Sequence, residues 1–87
     1  MEFDQLTQQI KEQIIQYCNL LDVKPEDIEN DTPLFVDGLG LDSIDSIELV
    51  VLLEREYGIK IKDPKEGRKI LIDVNHMANF ILENQKS

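Results

Sequence analysis

The chain has 87 residues, enough for a single domain over 1–87 with a modest core, and its 41% hydrophobic content is typical of a folded rather than a disordered chain. Its 18 acidic and 9 basic residues give a net charge of −9, so it lacks the basic footprint of a nucleic-acid-binding protein. A lone cysteine and a lone histidine exclude an internal disulfide and a metal site with Cys and His spacing.

The first predicted element is an amphipathic helix from about Asp4 to Leu21. Its apolar residues recur at three- and four-residue steps, which places them on one core-facing stripe: Leu6, Ile10, Ile14, Tyr17, Cys18 and Leu21. Residues 22–41 show no sustained period and contain several prolines and glycines, so we expect a long loop with room for one short turn. Scattered apolar residues anchor this loop to the core: Val23, Ile28, Leu34, Phe35, Val36 and Leu39. Loops of such length within a compact domain are often functional.

Three further helices are predicted. The second runs from about Ser43 to Tyr57 and ends at Gly58, and a brief helix can follow Pro64. The last begins near Asp73, a suitable N-cap, and buries one stripe: Val74, Met77, Ala78, Ile81 and Leu82. No segment alternates with period two for long enough to require a sheet. The prediction is an all-α fold, a small antiparallel four-helix-type bundle of three main helices and one short helix, with a long first loop.

The start of the second helix is the most informative stretch. Asp42 can cap this helix, with Asp45 as its capping-box partner, which leaves the Ser43 hydroxyl free in the first turn. A helix N-terminus carries a partial positive charge, so a phosphate ester at Ser43 is electrostatically tolerated. On spacing alone, the more common interpretation is that Ser43 is simply a second capping residue.

Around this serine the sequence resembles the acyl carrier proteins. Asp42-Ser43-Ile44, within residues 38–50, is similar to the attachment motif of that family. The likeness is collinear over nearly the whole chain. Residues 21–28 resemble the family's first-helix exit, Phe35-Val36 its buried loop anchor, and residues 53–59 the end of its second helix.

This resemblance implies a function. Ser43, beside Asp42, is expected to be esterified to 4′-phosphopantetheine by a separate Mg²⁺-dependent transferase that uses coenzyme A. Acyl groups are then expected on the distal thiol as thioesters, delivered by acyl-loading and chain-elongating enzymes, and the chain itself is expected to have no catalytic activity. The acyl group can be shielded from solvent between helices, in a space lined by Leu49, Val50 and Leu53.

Two departures from the family's pattern concern the pathway. Gly38 stands where many fatty-acid-synthesis carriers have an acidic residue, and Arg55 interrupts the acidic run of the second helix. The Gly-Leu-Gly-Leu lead-in at 38–41 is similar to carriers of specialised pathways such as polyene clusters. Fatty acid, polyketide and other specialised acyl-chain synthesis therefore all stay open. A peptidyl or D-alanyl carrier, and an unmodified acidic adaptor, are the alternatives.

The second helix carries two apolar sets. At 100° per residue one set faces the core with Ser46 among it: Leu49, Val50, Leu53 and Tyr57. Nearly opposite lies the second set: Ile44, Ile47 and Val51. Charged residues surround it, among them Asp45, Glu48 and Glu54. An apolar centre with a charged rim is typical of a docking surface, here for partner enzymes. Alternatively these three pack under the 22–41 loop, with Ile44 the first candidate for burial. Leu52 fits neither face.

Charge is unevenly divided along the chain. Residues 1–56 carry 14 acidic and 3 basic side chains, whereas Lys60, Lys62, Lys65, Arg68 and Lys69 crowd the segment before the last helix. Asp45 and Glu48 are expected to steer basic partners. His76 is expected to have a surface or capping role, and Cys18 to be an inert core residue. The N-terminus lacks a signal-peptide pattern, and no apolar stretch approaches the roughly 20 residues that cross a bilayer, so we expect a cytoplasmic protein without membrane insertion. We also expect it to be a monomer.

Overall fold

The computed structural model describes residues 2–35 and 38–85, and within those ranges the backbone forms four α-helices and one 3-10 turn. The helices are α1 (Phe3–Tyr17), α2 (Ser43–Tyr57), α3 (Pro64–Ile70) and α4 (Val74–Gln85), and the 3-10 turn spans Pro25–Asp27. An isolated bridge between Phe35 and Leu41 is the sole β-type pairing in the described part of the chain. The predicted all-α bundle of three main helices and one short helix is confirmed.

The core lies where α1 packs on α2 and α4. From α1, Leu6, Ile10 and Ile14 are almost completely buried, as their spacing predicts. From α4, the predicted stripe is buried at Val74, Met77, Ala78 and Ile81, while Leu82 at its edge is half-buried. Burial of these aliphatic side chains is the main favourable contribution to folding.

The end of α1 differs from the sequence prediction. The helix stops at Tyr17, four residues early, because Asn19 adopts a left-handed conformation with φ of 55°. The Leu20 N–H then donates back to the Ile15 carbonyl at 3.0 Å, a bond of the type that closes a Schellman motif. Leu21 consequently leaves the apolar stripe and is 86% exposed.

The long loop is attached to the bundle at several points. Ile28 and Leu34 are buried anchors as predicted, Val23, Phe35 and Leu39 are half-buried, and Val36 lies outside the described residues. The Leu34 N–H donates to the carbonyl of Ile72, and the Leu41 N–H donates to that of Leu34. These bonds fix buried Leu41, and therefore the start of α2, against the rest of the molecule.

A tight turn precedes α2. The Leu39 N–H donates to the Pro33 carbonyl at 3.0 Å, and a Cβ on Gly38 would overlap that same carbonyl oxygen. Any other residue at position 38 therefore requires the backbone to move.

Helix α2 ends as predicted, at Gly58 in the left-handed conformation with φ of 67°. Two polar bonds join it to α1. The Tyr57 hydroxyl donates to Gln13 Oε1 at 2.6 Å, and the Tyr17 hydroxyl donates to Glu56 Oε1 at 3.1 Å. Tyr17 and Tyr57 are each half-buried, so they link the edges of the two helices rather than fill the core.

A short linker joins α3 to α4, and the two helices pack on each other. Asp63 caps α3 by accepting from the Lys65 N–H. Asp73 caps α4, as predicted, by accepting from the His76 N–H at 2.8 Å, and the exposed His76 ring reaches the same carboxylate through Nδ1 at 2.6 Å. Of the helices in the described ranges, none has the length and apolar character that crossing a membrane requires.

Candidate functional site

The start of α2 is held by the predicted capping box. Asp42 Oδ1 accepts from the N–H groups of Ile44 at 3.0 Å and Asp45 at 3.1 Å, and Asp45 Oδ2 accepts from the Asp42 N–H at 3.1 Å. Three backbone donors at a helix end are thereby satisfied by two side chains. The cap is therefore Asp42, and the alternative that Ser43 serves as the capping residue is wrong.

Ser43 lies in the first turn with its backbone fixed and its side chain free. Its carbonyl accepts from the Ser46 hydroxyl at 2.7 Å, while its own hydroxyl is exposed and makes no hydrogen bond to any described residue. A hydroxyl in this state keeps both its proton and its lone pairs available.

An open cleft of about 710 Å³ lies beside Ser43. One wall is the start of α2 and the other is formed by α3 and the segment before it. Its lining is mainly apolar: Phe35, Leu41, Asp42, Ser43, Ser46, Ile47, Val50, Ile61, Lys62, Gly67, Arg68 and Leu71. Of the predicted shielding residues, only Val50 lines this cleft, because Leu49 and Leu53 are completely buried in the core.

The structure corrects the predicted position of Val50 and settles that of Leu52, which was left open. Val50 was expected in the core but is half-buried, since it faces the cleft. Leu52, which fitted neither face, is completely buried. The buried stripe of α2 is centred on Leu49, Leu52 and Leu53 and is therefore rotated away from the α3 side.

Opposite the core, α2 presents the second apolar set. Ile44 is 68% exposed and Ile47 is 62% exposed, so the alternative that the long loop covers them is wrong. Val51, the third member of the set, is half-buried. Its short β-branched side chain lies between longer neighbours one turn away on either side, Ile47 and Arg55. Among the charged residues of this region, Glu54 is exposed and Asp45 and Glu48 are half-buried.

Cys18 follows the end of α1 close to the acidic edge of α2, and it is half-buried rather than in the core. Burial raises the pKa of its thiol to about 12, and the neighbouring carboxylates of Asp45 and Glu48 act in the same direction. The thiol is therefore protonated at neutral pH, which agrees with the predicted inert role.

Comparison with known proteins gives the family. A family model described as "Phosphopantetheine attachment site" matches residues 8–65. An acyl carrier protein of Rhodopseudomonas palustris is 31% identical over 83 residues, covering 95% of this chain and 98% of the relative. Acyl carrier proteins of Nitrobacter winogradskyi and of a Bradyrhizobium species show the same identity and coverage.

The helical bundle and these matches define a phosphopantetheine-binding carrier protein. The chain belongs to the acyl carrier protein family, and 4′-phosphopantetheine is its covalently attached prosthetic group. The residues around α2 fit such a group. An exposed, unbonded hydroxyl is available for a phosphate ester, and the adjoining cleft combines apolar walls with two cationic side chains, Lys62 and Arg68.

The sequence prediction did not identify the α3 wall of this site. Ile61, Gly67 and Leu71 gave no periodic signal, since the segment is short and mixed, and Lys62 and Arg68 were noted only as part of a basic cluster. That cluster, lying next to an acidic helix, was the one signal that pointed to this wall.

Proposed function

We propose that Ser43 is the residue to which 4′-phosphopantetheine is esterified, and that the chain carries acyl intermediates as thioesters for fatty acid, polyketide or related specialised acyl-chain biosynthesis. The observation that carries this proposal is the exposed Ser43 hydroxyl, held between the Asp42 cap and the cleft with no competing hydrogen bond among the described residues. Membership of the acyl carrier protein family supports acyl groups as the cargo.

The chain's own contribution to attachment is an oriented nucleophile. Ser43 Oγ forms the new bond to the pantetheine-side phosphorus of coenzyme A, and the pyrophosphate P–O bond breaks so that adenosine 3′,5′-bisphosphate leaves. The Ser43 proton passes to a separate transferase, which also brings Mg²⁺. The Asp42 cap fixes the backbone on either side of Ser43, so the side chain that carries the hydroxyl starts from a fixed Cα at the helix start. Once attached, the arm supplies a thiol on which acyl groups are held as thioesters.

The chain acts as a carrier rather than a catalyst in this proposal. Membership of the acyl carrier protein family supports this role. Acyl-loading and chain-elongating enzymes perform the chemistry, and this domain, a cytoplasmic monomer, presents the arm to them.

Partner enzymes are proposed to recognise the exposed side of α2 near Ser43. Ile44 and Ile47 supply an accessible apolar centre. Further contacts come from Val51 and from a partly acidic rim: Asp45, Glu48 and Glu54. An apolar centre with a charged rim is the usual anatomy of a protein interface.

Intact mass after incubation with coenzyme A, Mg²⁺ and a broad-specificity transferase tests the attachment site. Ser43→Ala should abolish the mass gain of one arm while the helical circular dichroism spectrum is unchanged, because this side chain makes no structural bond. Ser46→Ala is the matched control, and it should still take up the arm, since Ser46 lies one turn further on with its hydroxyl donating to a carbonyl. Uptake by Ser43→Ala would contradict the assignment, and no uptake by the wild type would favour an unmodified adaptor.

A further inference from the structure

The two walls of the cleft differ in charge. On the α2 wall are Ser43, Ser46, Ile47 and Val50, with Asp42 at one end. The facing wall carries Lys62, which precedes the Asp63 cap of α3, and Arg68 in the last turn of α3. Both basic side chains are exposed, and within the described ranges neither of them forms an ion pair.

The α2 wall offers an anion little stabilisation of its own. The first-turn amides of Ile44 and Asp45, which could otherwise bind a phosphate, already donate to the Asp42 carboxylate. Asp42 also places a negative charge directly beside Ser43, in a part of the chain that is strongly acidic up to residue 56. A phosphodiester attached at Ser43 therefore needs its counter-charge from another element.

We propose that Lys62 and Arg68 bind the phosphodiester of the prosthetic arm across the cleft and so hold the arm against the protein. This inference rests on the proposed attachment at Ser43. The guanidinium of Arg68 can donate two parallel hydrogen bonds to phosphate oxygens, while Lys62 contributes a mobile point charge. The apolar lining beyond them, including Val50, Ile61 and Leu71, faces the non-polar part of the arm.

The arm then has a docked and an undocked position. Docking depends on ion pairs between the phosphate and exposed side chains of an open cleft, so added salt weakens it. An enzyme that uses the arm must first replace these two cations as partners of the phosphate. Lys62 and Arg68 are therefore positioning residues for the arm and take no part in acyl transfer.

Phosphorus-31 NMR of the holo protein tests the inference directly. In the wild type the ³¹P resonance should be broad, since a docked phosphodiester tumbles with the protein, and it should narrow at 1 M salt, where the Debye length is about 3 Å. The double variant Lys62→Gln/Arg68→Gln should give the narrow line at every salt concentration. Both side chains are exposed, so the variant should fold normally, which circular dichroism checks.

Lys60→Gln/Lys69→Gln is the charge-matched control. Both lysines are exposed and neither lines the cleft, so this variant should keep the broad line. Equal narrowing in both double variants would show that only total charge matters and would overturn the inference.

Two more outcomes would also overturn it. One is a ³¹P line that is already narrow in the wild type at low salt. The other is a shift of the Lys62 and Arg68 amide resonances that occurs only after a carboxylate-bearing acyl group is loaded. That result would show that the two cations bind the acyl group rather than the phosphodiester. Both outcomes are observed on protein that carries the arm on Ser43, which an intact-mass measurement checks. They therefore contradict the docking proposal and leave the attachment proposal standing. An arm that is absent or on another residue refutes the attachment itself.

Discussion

Cys18 and the thiol of the prosthetic arm are two sulfur nucleophiles on one small protein, and their surroundings separate them. Cys18 is half-buried next to carboxylates, and its pKa is raised to about 12. An exposed thiol has a pKa near 8.5. Acyl groups therefore have little tendency to move from the arm to Cys18, because the thiolate is the attacking species.

We expect alkylation of Cys18 in the folded apo protein at pH 8 to be slower than in the urea-unfolded chain by a factor on the order of 10². The smaller thiolate fraction lowers the rate, and the higher intrinsic nucleophilicity of a more basic thiolate recovers part of it. Iodoacetamide labelling followed by mass spectrometry measures both rates. The folded-state rate should keep rising tenfold per pH unit above pH 9, where the unfolded chain levels off. Equal rates at pH 8 would contradict the raised pKa.

Single residues also show where sequence reasoning succeeds and where it stops. Asp42, Asp45 and Gly58 were placed correctly because caps and terminators depend on neighbours within a few residues. Leu21 and Val50 were misplaced. The early end of α1 depends on Asn19 adopting a conformation that glycine usually supplies, and Val50 faces a cleft made by a distant segment.

At the scale of the elements, α2 is a helix with three environments: the core, the cleft and the exposed apolar set at Ile44 and Ile47. Its hydrophobic residues are spread widely around the axis, so periodicity alone predicts two faces but not their exact rotation. The helices α1 and α4 have one narrower stripe each, and their buried residues were predicted more closely.

Ile47→Ala should cost little stability, because the side chain is 62% exposed and few contacts are lost. Leu49→Ala, two residues further along the same helix, is the control and should cost about 2–5 kcal/mol, the usual range for a completely buried leucine. Urea denaturation of both apo variants gives the two free energies of unfolding. A loss for Ile47→Ala as large as that for Leu49→Ala would show that Ile47 is part of the core.

At the scale of the whole molecule, charge is arranged so that an acidic helix and a basic wall enclose one cleft. The chain is strongly acidic up to residue 56, and the basic cluster follows in the segment that contains α3. Under the two proposals made above, acidic residues of α2 face partner enzymes and cationic residues of the facing wall hold the prosthetic group.

Glu48→Lys should slow attachment of the arm by the transferase and reduce the salt dependence of that rate, because a screened attraction near Ser43 is replaced by repulsion. Glu83→Lys makes the same charge change on an exposed residue of α4, which packs mainly on α1 and α3, and should have a much smaller effect. Initial rates of mass gain at several ionic strengths compare the two. Equal slowing by both variants would indicate that recognition depends on net charge rather than on α2.

The turn before α2 constrains how this carrier could change over evolution. By the resemblance described in the sequence analysis, Gly38 stands at a position where an acidic residue is expected in fatty-acid-synthesis carriers. Here a side chain at that position would overlap the Pro33 carbonyl, which also accepts the Leu39 N–H. An acidic residue therefore cannot arise at position 38 by one neutral mutation, since a compensating change in the turn has to come first. Gly38 should therefore be retained for as long as the Pro33 carbonyl keeps this position.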